Sequence, residues 1–151
     1  MAVLTEEQSM LKDQAQAWSR DESPVAKFRQ MRDSGVAMGF DDATWSDIAA
    51  MGWTGILIPE ELGGSGMDHA TFGVVLEEMG RQLVASPLFA SSLVGASALL
   101  LGGTDAQRQR WLPGVAAGDA IVTLAVDEGP HHRPEGIALQ VERSIDGFTL
   151  T

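Results

Sequence analysis

AIVTLAVDEGPHHRPEGIALQVERSIDGFTLT, residues 120–151, is the stretch that decides the fold, because here a chain written in helical periodicities changes to strand patterns. Residues 121–126 form an almost continuous apolar run with β-branched members, bounded by Gly118-Asp119 and Gly129-Pro130, and predict a buried strand. In residues 137–141, Ile137, Leu139 and Val141 alternate with Ala138 and Gln140, which predicts a second strand; Asp146-Gly147 then turns the chain into residues 148–151. Two or three strands cannot close a barrel, and an open hairpin leaves an unpaired edge. The expectation is a mainly α fold: an all-helical domain over residues 1–119, followed at 120–151 by the truncated start of a β domain that needs more chain or a partner.

Working back from that stretch, the helix starts are explicit. Thr5-Glu6-Glu7-Gln8 has the capping-box pattern, and Met10, Leu11, Ala15 and Trp18 follow at near-helical spacing, predicting a helix over about residues 5–20. Ser23-Pro24 places a cap before a proline suited to the first helical position, with Val25, Phe28 and Met31 on one face. Asp41 or Asp42 caps a third helix that turns Trp45, Ile48 and Met51 inward and ends at Gly52, and residues 53–58 form a short buried link. Asp68 starts a fourth helix with Phe72, Val75, Met79 and Leu83 inward, broken at Ser86-Pro87. Residues 88–101 are apolar or small nearly all round and predict a buried central helix. Gly102-Gly103 ends it, Thr104-Asp105-Ala106-Gln107 is a second capping box, and Trp111 and Leu112 anchor the last helix.

Ten basic residues against twenty-one acidic ones give a net charge of −11, which argues against nucleic acid or an anionic membrane as partner, since both need clustered Lys and Arg. The absence of cysteine excludes a disulfide framework, a thiolate nucleophile and a Cys-based zinc site. The first residues carry acids where a signal peptide needs a basic flank, and no apolar run reaches membrane-spanning length, so a soluble cytoplasmic protein is expected.

Candidate chemistry is sparse. His131 and His132 are adjacent, so in extended backbone they point to opposite sides and ligate one metal poorly. Glu77 and Glu78 sit about 100° apart on a helix and read as a solvated face, as does the Glu60-Glu61 pair. Ser91, Ser92 and Ser97 lack a nucleophile elbow, and Gly63-Gly64-Ser65-Gly66 lacks the lysine and preceding strand of a phosphate loop. It reads as a tight surface turn. No catalytic residue and no metal site are assigned.

Taken in order, LTEEQSMLKDQAQAW at 4–18, FDDATWSDIAAMGWTGILIPEELGGSGMD at 40–68, VVLEEMGRQL at 74–83, GGTDAQRQRWLPGVAAGDAI at 102–121 and LAVDE at 124–128 followed by DGFTLT resemble the N-terminal part of the acyl-CoA dehydrogenase family. The resemblance implies an oxidoreductase of lipid metabolism with a helical domain, a β-barrel domain holding FAD and a C-terminal helical bundle. The family's catalytic base, a C-terminal carboxylate, matches no residue here, so these 151 residues alone are expected to be inactive and to bind FAD weakly or not at all. It further implies that Leu124, Val126 and Asp127 lie along the flavin, that Phe89, Ser91, Ser92 and Gly95 border the acyl chain, and that Arg133 meets a CoA phosphate. Acyl-CoA is the implied substrate, an electron-transfer flavoprotein the implied acceptor, and a homo- or hetero-oligomer the implied assembly. Asp127 stands where the family usually has threonine; a carboxylate there repels a flavin carbonyl oxygen unless it is protonated or turned away. That departure sustains an alternative, a non-catalytic structural subunit of a heteromeric dehydrogenase with a degenerate flavin site.

Overall fold

The structure is a computed structural model that describes residues 3–35, 37–145 and 147–151. It is mainly helical. Six α-helices occur among the described residues: α1 (Glu6–Glu22), α2 (Val25–Ser34), α3 (Asp42–Ala50), α4 (His69–Arg81), α5 (Ala96–Gly102) and α6 (Asp105–Ala117). A π-helical segment, Phe89–Gly95, runs directly into α5, and β1 (Val141–Ser144) pairs antiparallel with β2 (Gly147–Leu150) at the end of the chain.

The two capping boxes form as the sequence predicts, with Thr5 and Gln8 starting α1 and Thr104 and Gln107 starting α6; each satisfies amides that a helix start leaves unpaired. Asp41 and Asp68 cap α3 and α4 by accepting from the amides of Thr44 and Thr71. The second helix departs from expectation. Pro24 itself takes the N-cap position without a side-chain bond, while Ser23 closes α1 and is buried, and Val25, Phe28 and Met31 are only partly covered. Met10 on α1 faces solvent.

The core has two parts. In the first, Trp53 is fully buried and meets Trp18 of α1 edge-on at 5.3 Å, with Ile48, Phe72, Val75 and Leu88 around them. In the second, Ile58 packs with Ala96 of α5 and with Leu112, Val115 and Ala116 of α6. Residues 53–58, wholly buried, join the two. The glycine-rich turn lies flat on this link: Ser65 N–H donates to Gly55 O, and the amides of Gly66 and Met67 donate to Ile58 O and Ile56 O, at 2.8–3.0 Å. A Cβ at Gly64 would stand 2.0 Å from Ile58 O, so only glycine permits that approach.

Four expectations are corrected. Leu83 does not face inward; it takes φ 55° as the left-handed residue closing α4, with Leu83 N–H on Gly80 O and Val84 N–H on Met79 O, and is half exposed. Residues 88–101 are not a uniformly buried α-helix but a π-helix followed by α5, with Phe89 and Leu101 exposed. Residues 121–126 form no strand and are unpaired, and Ile121 and Leu124 are about half exposed. Finally, pairing begins only at Gln140, which exchanges two backbone hydrogen bonds with Thr151, and Ile137 and Leu139 are left half exposed. The common cause in the last three is that an apolar pattern reports what a segment can bury, not whether a covering layer is present. Asp146 of the expected turn lies outside the described residues.

Candidate functional site

The expected site residues fall on two consecutive pieces of chain, the π-helix with its overlying extended segment, and the loop that follows. The end of α6 sets the first. Thr54 Oγ1 donates to Ala116 O at 2.6 Å and Trp45 Nε1 to Gly118 O at 2.8 Å, which anchors the last turn of α6 to the buried link and α3. Gly118 takes φ 80°, and Ala120 N–H returns to Gly114 O at 3.0 Å, so the chain doubles back across the π-helix. There Ser91, fully buried, accepts a hydrogen bond from Val122 N–H at 3.2 Å. Gly95 lies directly beneath: a Cβ on it would stand 2.5 Å from Val122 O and 2.7 Å from Val122 Cγ2.

Beyond this crossing the backbone is open. Among the described residues, no backbone hydrogen bond is made by residues 123–126. Without regular structure or backbone partners, their amides and carbonyls present a polar edge available to a planar hydrogen-bonding ring or to another strand. An apolar groove of about 430 Å³ opens beside the crossing, between Gly95, Ala98, Leu99, Trp111, Val122 and Thr123. Trp111, expected with Leu112 to anchor the last helix, is 41 % exposed on the wall of this groove with the Arg110 guanidinium 5.0 Å from its ring, while Leu112, Val115 and Ala116 are the buried residues of α6.

The loop is closed by two neighbouring carboxylates. Asp127 accepts from Arg133 N–H at 3.1 Å and has His132 Nδ1 3.1 and 3.2 Å from its two oxygens. The hydrogen bond from His132 first, and the Arg133 amide second, hold its carboxyl below the usual carboxylate range. Asp127 is therefore ionised near neutrality and turned into its own loop. Glu128 grips the far side, its two oxygens accepting from Ala138 N–H and Leu139 N–H at 2.8 Å each. Nothing in the residue order singled out Glu128; the signal, a carboxylate ten residues before two extended amides, exists only once the loop is folded.

The structure thus brings Ser91, Gly95 and the segment carrying Leu124 and Val126 together. It does not bring in the others. Ser92 is buried with its hydroxyl unpartnered, Phe89 is exposed, and Arg133 is solvated with its Nε 3.8 Å from Glu135. Glu78, read as solvated, is 2 % exposed between α1 and α4, 3.9 Å from Lys12 and 3.4 Å from Arg81. Its spacing from Thr71, Phe72 and Val75 on the inward face was the available signal, overridden by its charge. Among the described residues no three of His, Cys, Asp and Glu gather as metal ligands, and no helix is long and apolar enough to cross a membrane.

Residues 5–119 match the family described as "Acyl-CoA dehydrogenase, N-terminal domain". The chain is 37% identical over 127 residues to (2S)-methylsuccinyl-CoA dehydrogenase of Cereibacter sphaeroides, an alignment covering 83% of this chain and 22% of that protein. Its fold matches the Tcur3481-Tcur3483 steroid ACAD, solved as a variant, with a TM-score of 0.83 and 30% identity over 96% of this chain and 39% of that one. It also matches the ChsE4-ChsE5 complex from Mycobacterium tuberculosis, with a TM-score of 0.83 and 26% identity over 100% of this chain and 40% of that one. The chain therefore spans between about a fifth and two fifths of the length of these relatives.

Proposed function

The chain belongs to the acyl-CoA dehydrogenase family, and from that premise we propose that it serves as the N-terminal domain of an FAD-dependent enzyme that oxidises an acyl-CoA thioester to the 2-enoyl-CoA. The observation that carries the proposal is the open backbone edge after Val122, held on a helical domain of this family and left without a partner among the described residues. Bound there, FAD supplies the hydride-accepting ring for oxidation of the acyl chain.

The residues present fit a flavin through backbone rather than side chains. Leu124 and Val126 offer amides and carbonyls along the edge, whereas the Asp127 carboxylate is an acceptor already committed to His132 and Arg133. Its engagement within the loop removes the expected repulsion and makes Asp127 a residue that shapes residues 127–133. Phe89, exposed, remains the side chain of the π-helix placed to touch an acyl chain; Ser91, Ser92 and Gly95, all buried, border it from behind. Arg133 is exposed and its one ion pair, Nε 3.8 Å from Glu135, is weak, so its guanidinium is available to a CoA phosphate as a charge-assisted donor. In this reading the 151 residues alone hold FAD weakly or not at all and do not turn over, the acceptor of electrons is a flavoprotein carrier, and the assembly is a homo- or hetero-oligomer.

A second reading has its own support: Asp127 offers no hydroxyl donor to a flavin, and one matching structure is a two-component complex. There the chain is part of a structural subunit whose flavin site does not work. Titrating FAD into the full-length polypeptide that carries this chain separates the two. Near-stoichiometric binding that Asp127→Thr leaves unchanged or weakens supports the enzyme with a loop-shaping aspartate. Binding that appears only in the Asp127→Thr variant supports the degenerate site.

A further inference from the structure

We propose that Ser91 and Gly95 are positioning residues, a paired seat on the π-helix that fixes residues 121–123 and so sets where the backbone edge 124–126 stands. The inference deepens the reading above and depends on it only for what that edge faces.

Residues four apart on a helix share a face, so the Ser91 hydroxyl and the bare Cα of Gly95 are presented together to the chain crossing over them. Each does a different thing to the same residue. Ser91 accepts from Val122 N–H at 3.2 Å, and Gly95 lets Val122 O approach to a distance that a methyl group, 2.5 Å away, would forbid. Upstream, Ala120 N–H on Gly114 O is the preceding tie. Downstream, among the described residues, no backbone or side-chain hydrogen bond fixes residues 123–126. The position of the edge is therefore inherited from how Val122 is held: its amide on Ser91, its carbonyl over Gly95 and its side chain against the cluster around Ala96 and Leu112. The π geometry is consistent with that task, since π-helical turns survive mainly where they present groups that an α-helix would place differently. Ser91 and Gly95 then act on the edge from beneath it.

Hydrogen exchange on the 151-residue chain tests the seat without any cofactor. In the wild type the Val122 amide should exchange more slowly than those of Thr123 and Leu124. Ser91→Ala should speed Val122 about fivefold, the effect of losing one ordinary hydrogen bond, while amides of α1, α3 and α4 keep their rates. Gly95→Ala should loosen residues 121–124, whereas Gly73→Ala, where a Cβ meets nothing within 4 Å, should not. Unchanged Val122 exchange in Ser91→Ala overturns the proposal, and that variant decides the matter even if Gly95→Ala fails to fold. FAD binding by the full-length polypeptide tests the reading beneath it. A loosened Val122 with weaker FAD binding and a shifted flavin absorption band supports both, while a loosened Val122 with unchanged affinity and spectrum leaves the seat standing and removes the flavin from the edge it positions.

Discussion

At the scale of single residues, two positions carry sharp consequences. Leu83 holds a left-handed conformation at the end of α4 that costs an L-residue roughly 1–2 kcal/mol, and its half-exposed side chain recovers little of that by burial. Leu83→Gly should therefore stabilise the chain by about 0.5–1 kcal/mol after the entropy that glycine restores to the unfolded state, measured by urea denaturation; a loss of stability would mean that the leucine packs better than its exposure indicates. Asp41 is the second. Its carboxyl is lowered to about 2 from 3.8, chiefly by the Thr44 hydroxyl and then by Lys27, so the folded state holds its charged form more tightly than the unfolded one. The resulting stability is present above the unfolded value and lost as pH falls through the folded one. Asp41→Ala should cost about 1 kcal/mol at neutral pH, and the gap between variant and wild type should close between about pH 4 and pH 2. A gap that persists at pH 2 would place the cap's value in shape rather than charge. Both residues show why a site is less legible in sequence than a helix: the capping role of Asp41 is local and readable, whereas the handedness of Leu83 follows from where the chain must go next.

At the scale of elements, local chemistry was legible and layer chemistry was not. The caps of α1, α3, α4 and α6 and the buried link 53–58 follow from neighbouring residues, and the structure has them where their spacing puts them. The strand expected at 121–126, the solvated reading of Glu78 and the α-helical reading of 89–95 failed for a shared reason, that each depends on what lies across from the element. Of the candidate site, the crossing of Val122 over Ser91 and Gly95 was not legible in the residue order, because it joins residues 31 positions apart that meet only in the fold. The glycine turn is the strictest element. Gly64→Ala should destabilise by about 3 kcal/mol, because a Cβ 2.0 Å from Ile58 O and 2.5 Å from Gly55 O forces the turn off the buried link. Gly73→Ala, on open helix surface, should instead stabilise by up to about 1 kcal/mol. Thermal unfolding of the pair settles the comparison, and similar shifts in both would show that the turn is free to move.

At the scale of the whole molecule, a helical body with two buried clusters continues into a segment whose apolar side chains are exposed: Ile137, Leu139, Val141, Phe148 and Leu150 are all more than half open to solvent. A two-stranded hairpin of that kind is marginal by itself. Hydrogen exchange on the isolated chain should show strong protection in the helices and little in residues 127–151, and concentration-independent protection of the hairpin in a verified monomer would oppose this picture. The functional claim rests on the same division, a helical domain that seats a backbone edge and leaves it for a flavin and the rest of an enzyme. It is tested most directly by adding a panel of acyl-CoA thioesters, straight-chain, branched and steroid, anaerobically to the purified full-length polypeptide while its flavin absorbance is recorded. The account predicts that bound FAD is present and that at least one thioester bleaches it with formation of the 2-enoyl-CoA; a preparation saturated with FAD that no member of the panel reduces, or one that takes up no FAD at all, would contradict it.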